Sequence, residues 1–447
     1  MAAHMNSSVS NIIPAATEAE AAAYRKVALA ACFGTFIEWY DFLTFATLAV
    51  HFAALFFPAN DPVAGLLYSL LTFGLGMVVR PLGAALFGSF GDRHGRRKAF
   101  IATIGLMGAA TFAVGLLPTY AQWGWVATGM LITLRLIQGL AMGGEIGGAN
   151  VYLAEHAPVA RRGAMTSVLQ WMGGFGILVS MFQIMLLQTF LSDADFKAWG
   201  WRIPFLLSAV LLLASVRARL ALHESPVFEK LRQQKHTTVT PLRDCLQDRQ
   251  TLGRMALLFF CISAGGSLLF FSSQVYAPIF LRTVVKMDPA WVGWVTLPAT
   301  LCLFPLTYAC GALSDHFGRR PVVLTGLLLG ALAILPIYFG LQQWSDQPMV
   351  IFGLLLILVL AVALVTGPQT ALLSELFTAR TRYTAVGLPH NLAAGWIGGL
   401  SPYMVALIAE KSGSALTGLV YPAGLLLLAL AVGYFFLPET QGADLNR

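Results

Sequence analysis

Two carboxylates, Glu38 and Asp41, stand in the stretch IEWYDF (37–42), inside an apolar run from 27 to 54 that is long enough to cross a bilayer. A charge at that depth costs at least about 2.5–3.5 kcal/mol on insertion scales, so such groups pair with one another or face a polar cavity. Partners of opposite sign are present, because Arg80 and Arg135 each interrupt another apolar run. At about 1.5 Å of rise per residue all four groups reach mid-membrane, and a spacing of three puts both acids on one helix face. Two chemistries fit. One is a structural ion-pair cluster that holds three helices together. The other is proton transfer, in which an acid stays ionised beside an arginine and takes up a proton when it is separated from it in a dry pocket. Asp41 with Arg135 is the preferred switching pair; Glu38 is the alternative carrier, or the partner of Arg80. Arginine stays charged throughout, so Arg80 and Arg135 serve as partners or as anchors for an anion.

Gln138 and Glu145 follow Arg135 on one side of its helix, whereas Gly139, Gly143 and Gly147 drift to the other as a strip of small residues suited to close helix contact. Glu145 lies about 15 Å along the helix from Arg135, as a second relay point or an inner structural pair. Further along the chain the mid-span polar groups are neutral: Ser273, Gln274 and Tyr276, then Gln369, then His390 and Asn391, with Gln170 earlier. Each fits a substrate hydrogen bond and fits helix packing as well. His390 falls near the inner end of its span and titrates near neutral pH when unperturbed.

These residues need a membrane scaffold, and the composition supplies one. Of 447 residues 57% are hydrophobic and 11% charged, against roughly 25% charged in soluble proteins. Twelve apolar runs read as transmembrane helices, near 27–54, 66–90, 99–118, 124–154, 163–189, 203–222, 253–281, 290–313, 321–341, 349–376, 383–409 and 418–437. The expected organisation is a disordered tail (1–26), a six-helix bundle (27–222), a hydrophilic loop (223–252), a second bundle (253–437) and a short tail (438–447). The net charge of +7 is a topology signal, because the basic residues collect in alternate loops. The positive-inside rule puts those loops and both termini in the cytoplasm and leaves no footprint for nucleic acid. The five cysteines lack metal-type spacing and read as packing residues.

The loop GSFGDRHGRRK (88–98) returns as GALSDHFGRRP (311–321), so that Asp92 and Arg96 match Asp315 and Arg319. A second echo joins Glu155 and Arg162 to Glu375 and Arg382. Duplicated six-helix halves with a midplane site between them are a transporter plan. The paired loops resemble the signature of the major facilitator superfamily. EWYDF (38–42), VRPLGAALFGSFGDRHGRR (79–97), RLIQGLAMGGEIGG (135–148), WGWRIPF (199–205), ESPVFE (224–229) and LPET (437–440) resemble its metabolite:proton symporter family, whose members carry shikimate, 2-oxoglutarate, citrate or proline and betaine. Two segments depart from many relatives: ELFTAR (375–380) lacks a proline, and PHN (389–391) stands where an aromatic-Asn pair is usual.

The resemblance implies an all-α fold of two pseudo-symmetric six-helix bundles in a bacterial inner membrane, working as a monomer. It implies symport of protons with a small molecule by alternating access, favouring an organic acid (mono-, di- or tricarboxylate) over a zwitterion such as proline or betaine. Asp92 with Arg96, and Asp315 with Arg319, are expected to pair with Glu155 and Arg162, and with Glu375 and Arg382, and so latch the halves; the alternative is charge that sets topology alone, and for Asp92 the resemblance favours the latch. No cofactor is expected beyond the coupling proton. A phosphate-loop pump is excluded because no lysine follows a glycine, and the motifs of zinc and serine hydrolases are missing.

Overall fold

The computed structural model describes residues 34–57, 62–94, 96–144, 150, 153–154, 157–220, 241–377 and 382–445. Among them ten helices are long and apolar enough to cross a membrane, and a bent pair makes an eleventh. In chain order the spans are α1 (Gly34–Thr47 with Ala49–Phe56), α2 (Val63–Phe87), α3 (the shorter apolar helix Ile101–Gly115), α4 (Trp125–Gly143), α5 (Val159–Phe190) and α6 (Gly200–Arg217), then α7 (Arg249–Thr283), α8 (Pro289–Phe317), α9 (Arg319–Gln343), α10 (Pro348–Glu375), α11 (Thr384–Ser412) and α12 (Ala415–Phe436). Each falls on one of the twelve expected runs. Helices prevail because hydrocarbon offers no partner for backbone N–H and C=O groups.

The molecule is turned inside out relative to a soluble protein. Leu82, Leu213 and Leu332 are well exposed on the outer surface, whereas Glu38, Asp41, Arg80 and Arg135 are buried. The halves meet along α2 with α11 and α5 with α8, and α1 meets α7 through Trp39 on Phe270 and Phe42 on Phe271.

Three features depart from plain spans. α1 bends by 61° at Leu48. α2 breaks at Val79, between Pro62–Val78 and Arg80–His94, where Pro81 supplies no backbone N–H. α7 starts inside the expected 223–252 loop, because Asp248 caps it by accepting from the N–H groups of Gln250 and Thr251. Hydrogen bonds from the Thr251 hydroxyl and these backbone groups hold the Asp248 carboxyl below the usual carboxylate range. A short helix, Pro241–Gln247, precedes it. Of the described cysteines Cys261, Cys302 and Cys310 are free, and Cys32 lies outside the described residues.

Candidate functional site

Each acid of α1 has its own arginine. Glu38 Oε1 lies 3.0 Å from Nη2 of Arg80, and Asp41 Oδ2 lies 3.7 Å from Nη1 of Arg135. Gln138 bridges the second pair: its Oε1 accepts from Arg135 Nη1 at 2.9 Å, and its Nε2 donates to Asp41 Oδ1 at 3.0 Å and to Thr111 Oγ1 at 3.0 Å. The Arg135 guanidinium also sits 4.1 Å from the centroid of the Phe45 ring, a cation–π contact in a dry setting.

Glycines set the positions of both arginines. A Cβ on Gly139 of α4 would run into the Gly76 carbonyl of α2, and one on Gly143 into the Arg80 carbonyl. The two helices therefore touch backbone to backbone, as small residues allow. From the break that follows, Arg80 reaches the second half, where its Nε donates to Asn391 Oδ1 at 3.1 Å. Asn391 is fixed in turn, with its Nδ2 donating to the Gly387 carbonyl at 2.8 Å.

Arg80 borders a cavity of about 70 Å³ between the halves, whose wall includes Trp39, Gln170, Thr366, Gln369 and His390. His390 Nδ1 bonds Ser263 Oγ at 2.9 Å. α7 and α11 each carry π-helical turns beside this cavity, at Leu258–Ser263, Phe271–Tyr276 and Ala393–Gly399, a distortion often found at functional sites.

The other sequence candidates fall elsewhere. Arg135 and Gln138 are absent from the cavity wall and serve Asp41. Ser273 and Gln274 line a separate space of about 10 Å³, room for about one water, where Gln274 Oε1 accepts from Thr300 at 2.8 Å. Tyr276 packs on Tyr338 and Phe280. Glu145 and Glu155, with the side chains of Asp92 and Arg96, lie outside the described part of the molecule.

At the end bearing the basic loops, an ion-pair network joins the halves. Arg162 Nη1 meets Glu375 Oε1 at 2.9 Å, and Arg319 meets Asp315 at 2.7 Å and Glu375 at 3.3 Å. Asp315 also accepts from the backbone N–H groups of Gly163 and Ala164, each at 2.9 Å. Arg382 donates to the carbonyls of Ser374, Phe377 and Leu445. At the opposite end Arg282 donates to the Thr47 carbonyl, at the bend of α1, at 3.3 Å. The halves thus touch on both sides of the cavity.

This architecture has known counterparts. The sugar (and other) transporter family matches residues 27–240 and 229–447. The inner membrane metabolite transport protein YhjE of Escherichia coli is 36% identical over 91% of this chain and 93% of its own. The shikimate transporter of the same organism is 34% identical over 86% and 87%. The chain is a metabolite transporter of the major facilitator superfamily. The proton:xylose symporter XylE, solved with 6-bromo-6-deoxy-D-glucose, shares the fold, with a TM-score of 0.75 at 19% identity over 96% of this chain and 98% of that one.

Several residues of the transporter's site escaped the sequence reading. Its carboxyl-terminal segment straps the latch: Glu439 accepts from the N–H groups of Arg319 and Arg320, at 2.9 and 3.1 Å. Thr440 donates to Glu375 at 2.9 Å, and the Ala443 carbonyl accepts from Arg162 at 3.0 Å. The signal was an acid two residues past the last span, at a helix start rich in unpaired N–H groups. Thr111 and Arg282 carried no such signal, since a threonine mid-span and an arginine at a helix end are ordinary.

Proposed function

We propose that the transporter takes up a small organic acid together with protons, by rocking of its halves about the central cavity. The observation that carries this reading is Arg80, a fixed cation on the cavity wall beside the neutral hydrogen-bonding groups of Gln170, Gln369 and His390. A guanidinium in such a place suits a carboxylate, which it binds through paired charge-assisted hydrogen bonds. The likeness to a shikimate transporter agrees. The acid and arginine pairs of α1 provide the means of coupling to protons, which are the coupling ion, and no further cofactor enters the reading. The basic loops face the cytoplasm of a bacterial inner membrane, with both termini on that side, and one chain suffices.

A zwitterion such as proline or betaine is the second reading. It is favoured by the aromatic wall of Trp39, Phe270 and Phe271, which suits an ammonium group. Uptake into proteoliposomes separates the two: a panel of carboxylates is set against betaine and proline, with and without an inward proton gradient. Carboxylate accumulation that follows the gradient is expected. Uptake indifferent to the gradient rejects coupling, and accumulation of betaine or proline alone rejects the organic acid.

A further inference from the structure

The polar groups on the wall of the central cavity are of two kinds. Thr307 and Thr366 spend their hydroxyl protons on their own helices, donating to the carbonyls of Leu303 at 2.6 Å and Val362 at 2.9 Å. Gln170 and Gln369 differ, because neither side-chain amide makes a hydrogen bond to a described residue. Gln188 is also unpaired, but its amide is sealed in the packing, whereas Gln170 and Gln369 border open space. Gln369 is buried, at 5% exposure, so the cavity is the space left to its amide. Its Oε1 lies beside Gly266 of α7, where a Cβ would stand 3.5 Å away, and no side chain at that position covers it.

We propose that Gln369 of α10 and Gln170 of α5 select an acid that bears hydroxyl groups over an acid of the same skeleton without them. This rests on the organic-acid reading above.

Buried polar groups are nearly always hydrogen-bonded, so two unpaired amides on one cavity wall define what an occupant must supply. A ligand that displaces water from them has to replace its hydrogen bonds. An amide presents an acceptor oxygen and a donor NH2 group side by side. A carboxylate only accepts, so it serves the nitrogen and leaves the oxygen unpaired. An ammonium only donates and leaves the nitrogen unpaired, and a quaternary ammonium serves neither. A hydroxyl donates and accepts, so it suits both atoms of an amide. The oxygens of Thr307 and Thr366, their protons already spent, add acceptors to the same wall and ask for donors as well.

An acid without hydroxyls buries these groups unpaired, and a site built on polar partners rejects it for that reason. On the organic-acid reading Arg80 holds the carboxylate. Trp39 and Phe270, with ring centroids 4.8 Å apart, offer apolar faces to the carbon skeleton. One amide stands on each half of the transporter, so a ligand that engages both spans the line along which the halves move.

The test is calorimetric binding in detergent solution with matched pairs of acids, shikimate against cyclohex-1-ene-1-carboxylate and gluconate against hexanoate, with L-proline and glycine betaine beside them. In wild-type protein the hydroxylated member of at least one pair is expected to bind at least about tenfold more tightly. This comparison needs no variant. Gln369→Leu or Gln170→Leu, which removes an amide at similar size, is expected to cut that preference about threefold or more, with the unhydroxylated acid bound as tightly as before. A preference below about tenfold in both pairs overturns the proposal. So does a preference that neither variant diminishes, or L-proline bound as tightly as the hydroxylated acids. In each of these cases the organic-acid reading stands, because the acids bind. Binding of L-proline or betaine without any acid, or of none of the six, overturns the organic-acid reading itself.

Discussion

Arg162 Nη1 lies 2.9 Å from Glu375 Oε1, and through that pair the first half of the transporter grips the second. Glu375 also meets Arg319 and accepts from Thr440. Breaking a buried pair by removing one partner costs about 3–5 kcal/mol. Glu375→Gln is therefore expected to favour opening at the basic end. A cysteine at cavity residue Gln170 should react with an impermeant maleimide from that side at least about tenfold faster, a factor equal to about 1.4 kcal/mol. An unchanged labelling rate would remove the latch.

Glu439 places its carboxylate on the first N–H groups of α9, where a negative charge also meets the positive end of the helix. Glu439→Ala should cost about 0.5–2 kcal/mol, the range for a lost helix cap. The expected readings are a lower melting temperature in detergent and faster Gln170→Cys labelling, in the same direction as Glu375→Gln but smaller. A larger effect than that of Glu375→Gln would make the strap, and not the ion pairs, the principal closure.

Close approach of α2 and α4 depends on Gly139, where any Cβ meets the Gly76 carbonyl. Gly139→Val should separate the helices and abolish the monodisperse peak in size-exclusion chromatography. Gly105→Ala, with nothing within 4 Å of the added carbon, should leave the peak intact. Equal behaviour of the two variants would mean that the contact is not needed for assembly.

Much of this arrangement could be read from the residues, and the limits have physical causes. Twelve apolar runs were legible because lipid demands them. The depth of Glu38, Asp41, Arg80 and Arg135 followed from counting helical rise. Which acid meets which arginine did not follow, because rise fixes height and leaves rotation about each helix open. The break at Val79 had a signal in Pro81. The bend at Leu48 had none, since it lies between Thr47 and Ala49 with no proline or glycine near. Gln138 bridges Asp41 to Arg135, which its place on one side of the Arg135 helix left open, because one sequence cannot tell a cavity face from a neighbouring helix.

Asp41 and Arg135 form a unit that a double-mutant cycle can isolate. Asp41→Asn alone strands a buried guanidinium with Gln138 and should lower the melting temperature sharply. Arg135→Gln alone should do the same by leaving the carboxylate without its cation. The double variant should recover part of the loss, with a coupling of about 0.5–3 kcal/mol, the range for residues in contact. Additive losses would show that the 3.7 Å separation is too long to matter for folding.

The carbonyl of Leu445, two residues before the end of the sequence, is held by Arg382 at 2.7 Å. The Ala443 carbonyl, two residues before it, accepts from Arg162 of the first half at 3.0 Å, so a fluorescent protein, affinity handle or surface tether fused to this tail would pull on the closure between the halves. Such a fusion would report on a transporter whose opening it had already altered.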